Sequence, residues 1–176
     1  GSKHAIIGFT DSLRCELVHQ KSKVRVTVVD MPALNTPQFG WVKNRLQHQP
    51  QPVPPIYEPE VAADAIVWAS EHRRRELLVG GMTVAAVWGQ KFIPSVLDWY
   101  LGKTGYASQQ TDAPRDANSQ DNLWSAVEED RGARGAFGKR SKDSSRALWA
   151  EKHRDALAAA GIASVSALGL LTKKLR

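Results

Sequence analysis

The sequence predicts an α/β fold, a parallel β-sheet with helices packed against it. Three observations carry that expectation. An amphipathic helical pattern over residues 3–20 leads into a valine-rich run, KVRVTVVDM. A second helical pattern, PEVAADAIVWASEH, leads into a short apolar run, ELLVG. The end of the valine-rich run is apolar on both faces, as buried parallel strands are. Helix, strand, long loop, helix, strand is the order expected of the later part of a parallel-sheet domain.

In the first helix Ile6, Phe9, Leu13 and Leu17 recur at helical spacing, with Ile7 widening the stripe and Asp11, Arg14 and Glu16 off it. In the strand that follows, Val24, Val26 and Val28 alternate with Arg25 and Thr27, and the strand stops at Met31-Pro32. Residues 32–57 read as a long irregular connection with a short helical piece around Trp41 to Leu46 and a proline-rich, extended end. Loops of such length inside a domain are usually functional. Pro59 suits the first turn of the next helix, where its missing N–H costs nothing. Val61, Ala65 and Trp68 form that helix's apolar stripe, with Ala62, Ile66 and Ala69 beside it. A strand over residues 76–80 ends at Gly80-Gly81. A helix over residues 83–101 should kink before Pro94.

From residue 102 to 146 periodicity fades and Gly, Ser, Asp, Asn and Gln dominate, which reads as an irregular extension. Trp124 and Phe137 are the aromatics that would pin it to the body or to a partner. Residues 147–176 form a C-terminal helix. Its stretch from Ala156 to Thr172 carries no charge and is followed by Lys173, Lys174 and Arg176. That pattern is expected either to pack as an alanine-rich helix or to contact a membrane. The chain thus divides into a sheet-and-helix part (1–101), an irregular extension (102–146) and a terminal helix (147–176).

Composition bounds the function. The chain has 176 residues, 42% of them hydrophobic, and a net charge of +6. Its basic residues are scattered, and the run Arg73-Arg74-Arg75 lies between Glu71 and Glu76, so a solvated surface is expected rather than a nucleic-acid interface. The single cysteine, Cys15, excludes an internal disulfide, fits a reducing, cytoplasmic setting, and reads as a buried or half-buried structural thiol. The first residues lack the basic-then-apolar pattern of a signal peptide. The five histidines show no metal-ligand spacing, so no metal site is expected.

Two stretches carry chemistry together: SKHAIIGFTDSLRCEL and, beyond it, VRVTVVDMPALNTPQF. They resemble the short-chain dehydrogenase/reductase family. In that family a Tyr-x-x-x-Lys motif opens a long helix, and a proline–glycine loop with a threonine follows the next strand. Lys3 matches the lysine, and Pro32, Leu34 and Thr36 match the loop, with Ala33 in place of its glycine. The tract GKTGYASQQTDAPRDANSQDNLW is similar to a bacterial-type branch with an extended C-terminus. The resemblance covers residues 1 to about 124.

The resemblance implies the C-terminal part of a Rossmann-type doubly wound sheet, NAD or NADP as cofactor, and hydride transfer to or from a small carbonyl or alcohol substrate. It implies that Lys3 is catalytic and touches the cofactor ribose, lowering the tyrosine's pKa through its charge. It implies cofactor contacts from Pro32, Ala33, Leu34 and Thr36, at the carboxyl edge of a strand where open α/β sheets bind ligands. Phe39 and Trp41 would lie on the substrate side, or simply pack a lid. The tyrosine would fall two residues before Gly1, and no G-x-G-x-x-G is present, so the chain as given is expected to be inactive. Two alternatives stay open: a non-catalytic module that pairs through the first helix, as a homo-oligomer, or a protein held at a membrane by residues 156–176.

Overall fold

The computed structural model describes residues 1–116 and 118–174, the last eight of these in backbone only. Helix α1, Ser2–His19, leads through an extended segment into strand β1, Val28–Asp30. After the long connection come helix α2, Pro59–Glu71, and strand β5, Glu76–Leu78. β1 and β5 pair in parallel, with Val28 opposite Glu76, Val29 opposite Leu77 and Asp30 opposite Leu78. The α/β class with a parallel sheet and flanking helices is therefore the observed one.

The strand is shorter than its valine pattern implies. Val24 is 64% exposed, and regular pairing begins only at Val28. Ahead of it the chain is tied to the turn before β5 by Thr27, whose hydroxyl donates to the Arg74 carbonyl at 2.6 Å.

Two further sheets take strands from the connection that read as irregular. Strand β2, Ala33–Leu34, and strand β7, Ser141–Lys142, flank strand β4, Ile56–Tyr57, all in parallel. Strand β3, His48–Pro50, pairs antiparallel with strand β6, Gln110–Pro114. The short helical piece is a 3-10 turn at Pro37–Gly40, not a helix over 41–46. Pro37 explains the shift, since its fixed φ favours the start of a helical turn.

The expected kink at Pro94 is a full break. Helix α3, Gly81–Phe92, ends at Ile93, and helix α4, Pro94–Ser108, starts anew. Leu97 folds back onto Gly89 so closely that a Cβ there would approach its side chain to 2.9 Å. Helix α5, Arg146–Lys152, and helix α6, Arg154–Lys174, complete the chain. Among the described residues no helix is long and apolar enough to cross a membrane. The uncharged stretch expected to contact a membrane, Ala156–Thr172, runs past residue 166 into positions whose side chains lie outside the described ones. The basic end reaches Arg176, which lies outside the described residues.

The core sits between α2, β5 and α5. Val61, Ala65 and Ala69 on one face of α2 meet Leu77 and Val79, Tyr57 of β4 and Leu148 of α5, with Val29, Met31, Leu34 and Trp68 around them. Val61 and Ala65 are in the stripe the sequence predicts for α2, but Ala69, read beside it, is buried in place of Trp68, which only packs on the edge. Ile66, read beside that stripe, is 53% exposed. The cluster ties the β1–β5 sheet to the three-stranded one, because Tyr57 belongs to β4 and Leu77 to β5.

α1 differs from its expectation. Its apolar positions Ile6 and Phe9 are 55% and 67% exposed, and Thr10 is the residue it buries. A polar side chain does much of the anchoring. Arg14 donates to the Val26 carbonyl through Nε and Nη2, and to the Arg75 carbonyl at 2.9 Å. Its Nη1 meets Asp11 at 2.7 Å. Cys15 is exposed, not a packed thiol, because it lies on the side of α1 away from these contacts. Of the two aromatics expected to pin the extension, Trp124 is 87% exposed, whereas Phe137 meets Phe39 edge-on.

Candidate active-site cleft

β1 ends at Asp30, and the chain turns at Met31-Pro32 away from the carboxyl edge of the β1–β5 sheet. Gly80 makes that turn possible from behind. Its φ is +99°, and a Cβ there would come within 2.9 Å of the Pro32 ring. Glycine is the residue that satisfies both requirements. From Pro32 the chain enters β2, then the 3-10 turn. Lys3 comes from the first turn of α1. The result is one open cleft of about 700 Å³. Lys3, Pro32, Ala33, Leu34, Thr36, Phe39 and Trp41, the seven residues singled out from the sequence, all line it.

Each has a local reason for its place. Ala33 and Leu34 are held by parallel pairing to Ile56 and Tyr57, so the position of the expected glycine is ordinary extended strand, which alanine adopts freely. Asn35 donates its backbone N–H to the Tyr57 carbonyl at 2.8 Å. Thr36 is extended, with φ −105° and ψ 155°, and its hydroxyl is buried without a hydrogen-bond partner among the described residues. A buried hydroxyl with no partner is unfavourable and points to a group it is meant to meet. The Trp41 ring has Arg131 over it at 5.5 Å.

Sequence reading missed the side chains that fix this loop from behind. Asn35 is 1% exposed. Its Nδ2 donates to the Glu58 carboxylate at 3.2 Å, and its Oδ1 accepts from the Phe137 N–H at 2.9 Å. The Ser141 hydroxyl also donates to Glu58. The signal available was a lone Asn inside an apolar-flanked loop, which by itself also fits a turn. Its partners lie 23 and 102 residues away.

A second cavity, about 810 Å³, opens on the other side of Lys3. α1, β1 and the α3–α4 corner line it, and Asp30 faces it. One Asp30 carboxylate oxygen is buried without a partner among the described residues. Burial, and then the neighbouring Glu76 carboxylate, raise the Asp30 pKa above its ordinary 3.8, with Lys91 opposing. In the folded chain Asp30 therefore keeps its proton to a higher pH than in the unfolded chain. Its contribution to stability is full below the unfolded value and falls as pH rises through the raised one. Asp30→Asn is expected to leave the urea midpoint nearly unchanged at pH 3.5 and to raise it at pH 8. A midpoint shift of equal size at both pH values would contradict this account.

The arrangement offers an ammonium group, an unpartnered hydroxyl and strand-end backbone beside an apolar wall of Leu34, Phe39 and Trp41. That set suits a polar ring or sugar held against an apolar surface.

Comparison with known proteins agrees in kind. The chain is 30% identical over 126 residues to a Bacillus subtilis (strain 168) protein described as the uncharacterized oxidoreductase YxnA. The match takes in 71% of this chain and 35% of that protein, so the chain spans about a third of the relative's length. No family model matches the chain, and no solved structure is similar to it. The cleft described above thus belongs to a chain similar, over most of its own length, to part of an oxidoreductase.

Proposed function

We propose that this chain supplies the nicotinamide-side and substrate-side part of an NAD(P)-dependent oxidoreductase of the short-chain dehydrogenase/reductase type, acting on a carbonyl or alcohol. The observation that carries the reading is the convergence of Lys3 and the 32–36 loop on one cleft at the carboxyl edge of a parallel strand. The buried, unpartnered Thr36 hydroxyl fits a polar cofactor group beside it. Lys3 would donate to ribose hydroxyls, and the Thr36 hydroxyl and nearby backbone would hold the carboxamide. When bound, the nicotinamide supplies or accepts the hydride. Lys3 binds and orients it, and its charge favours ionisation of an adjacent proton donor. Phe39 and Trp41 exclude water from the reacting face.

The fit is to the nicotinamide end. The residues given hold no glycine-rich phosphate-binding turn. In this reading the residues given bind the nicotinamide end weakly. Saturation-transfer NMR with NADH is the direct measurement. Nicotinamide and adjoining ribose protons should saturate more strongly than adenine protons. Lys3→Met should weaken binding about tenfold, the worth of one charge-assisted hydrogen bond. Saturation confined to adenine, or an unchanged affinity in Lys3→Met, would sink the assignment.

A second reading rests on α1. Its exposed Ile6 and Phe9 leave an apolar stripe that a second copy of this chain would cover. Light scattering on the eluting protein separates a dimer from a monomer, and a concentration-independent monomer removes this reading.

A further inference from the structure

The extension that read as irregular contributes a wall to the cleft. A side cleft of about 400 Å³ lies beside the main one, lined in part by Pro50, Ala136 and Phe137. Thr36, Pro37 and Phe39 line both, so the two spaces meet at these residues. Building on the oxidoreductase reading, we propose that this side cleft receives an uncharged apolar arm, alkyl or aryl, of the carbonyl substrate, and that Phe137 determines the specificity for it.

The wall is fixed in place. The Phe137 N–H donates to Asn35 Oδ1 and the Gly135 N–H to the Asn35 carbonyl, both at 2.9 Å. Gly135 passes so close to Thr36 that a Cβ would run into the Thr36 carbonyl. Phe137 then stands edge-on to Phe39, with ring centroids 5.8 Å apart and planes at 88°. A preformed aromatic corner takes an apolar group without the ordering cost that a mobile loop would add.

The charges around it decide the class of arm. Arg131 and Arg134 also line the side cleft, which would first suggest an anion. Both are already engaged. Arg134 meets Glu60 at 2.8 Å and Glu58 at 3.9 Å. Arg131 meets Glu129 at 3.1 Å and covers the Trp41 ring. An anionic arm would have to displace a carboxylate to gain either guanidinium. A neutral apolar arm only has to cover Phe39, Pro37, Pro50 and Phe137.

Three ketones test this by ligand-observed NMR on the full chain. 4-Phenyl-2-butanone carries an aryl arm, 2-butanone lacks one, and 4-oxopentanoate carries an anionic one. The phenyl ketone should bind best, with saturation concentrated on its ring protons. Phe137→Ala should weaken it about tenfold, and Ala136→Trp, on an exposed residue, should abolish its ring saturation by filling the side cleft. Neither should alter 2-butanone or NADH. Thermal unfolding checks that each variant folds; if Phe137→Ala does not, Ala136→Trp decides. Unchanged phenyl-ketone binding in the folded variants overturns the proposal, as does tighter binding of 4-oxopentanoate. NADH separates this proposal from the reading beneath it. NADH binding with ring saturation insensitive to both variants defeats the side cleft alone. Ring saturation lost in the variants without any NADH binding defeats the cofactor reading and leaves the apolar site.

Discussion

Asn35→Ala is expected to lower the unfolding free energy by about 2–3 kcal/mol, because it leaves a buried N–H and a largely buried carboxylate each short of a partner. The residue is 1% exposed, and nothing but protein surrounds its amide. After truncation the Phe137 N–H has no acceptor, and Glu58 keeps Ser141 and the more distant Arg134. The effect should also be local. Hydrogen exchange should speed at the Phe137 amide, which bonds to the side chain, more than at Gly135, which bonds to the Asn35 carbonyl. Asn35→Asp is a sharper probe of the same node. It keeps an acceptor for Phe137 but sets a carboxylate against Glu58, so it should be at least as destabilising at neutral pH and milder in acid, where either group can take a proton. An alanine variant within about 0.5 kcal/mol of the parent, the range of ordinary surface substitutions, would show that this node does not hold the extension.

Leu77→Ala should cost about 3 kcal/mol, within the range for emptying a packed leucine site. Leu77 has 0% exposure and sits where α2, β5 and α5 meet. Its backbone is fixed by pairing with Val29, so the site has little freedom to collapse around a cavity. A domain is typically stable by about 5–15 kcal/mol, which makes this a large share. The matched control is Ile66→Ala on the exposed face of α2, where a change below about 0.5 kcal/mol is expected from urea denaturation. Equal losses at the two positions would mean that the core lies elsewhere than between these three elements.

The parts legible in the sequence were those decided by local pattern. α2 followed from Pro59 and the spacing of Val61, Ala65 and Trp68, because a helix buries a face that its own periodicity selects. The β1–β5 pairing followed from two apolar runs separated by a helix, since parallel strands need such a crossover. The cleft was foreshadowed because Lys3 and Pro32 belong to consecutive elements of one resemblance. What stayed hidden depends on distant partners. A two-residue strand such as β4 has no periodicity to read, and it exists through Ala33–Leu34 on one side and Ser141–Lys142 on the other. Phe137 was legible as an aromatic that pins the extension, but Asn35, which holds its N–H, looks unremarkable until the fold brings the two together. The exposed apolar stripe of α1 was a failure of another kind. The pattern correctly marks a helix, but it cannot say whether the covering surface lies within the same chain.

Leu148 has a consequence for how the protein is made. It is 4% exposed and closes a core otherwise built from residues 57–79. During synthesis the earlier helices and strands leave the ribosome first. Their apolar faces must wait, through the whole intervening stretch, for the one side chain that seals them. The nascent chain therefore carries an open hydrophobic notch while residues 80–147 are made, a natural place for a chaperone to engage.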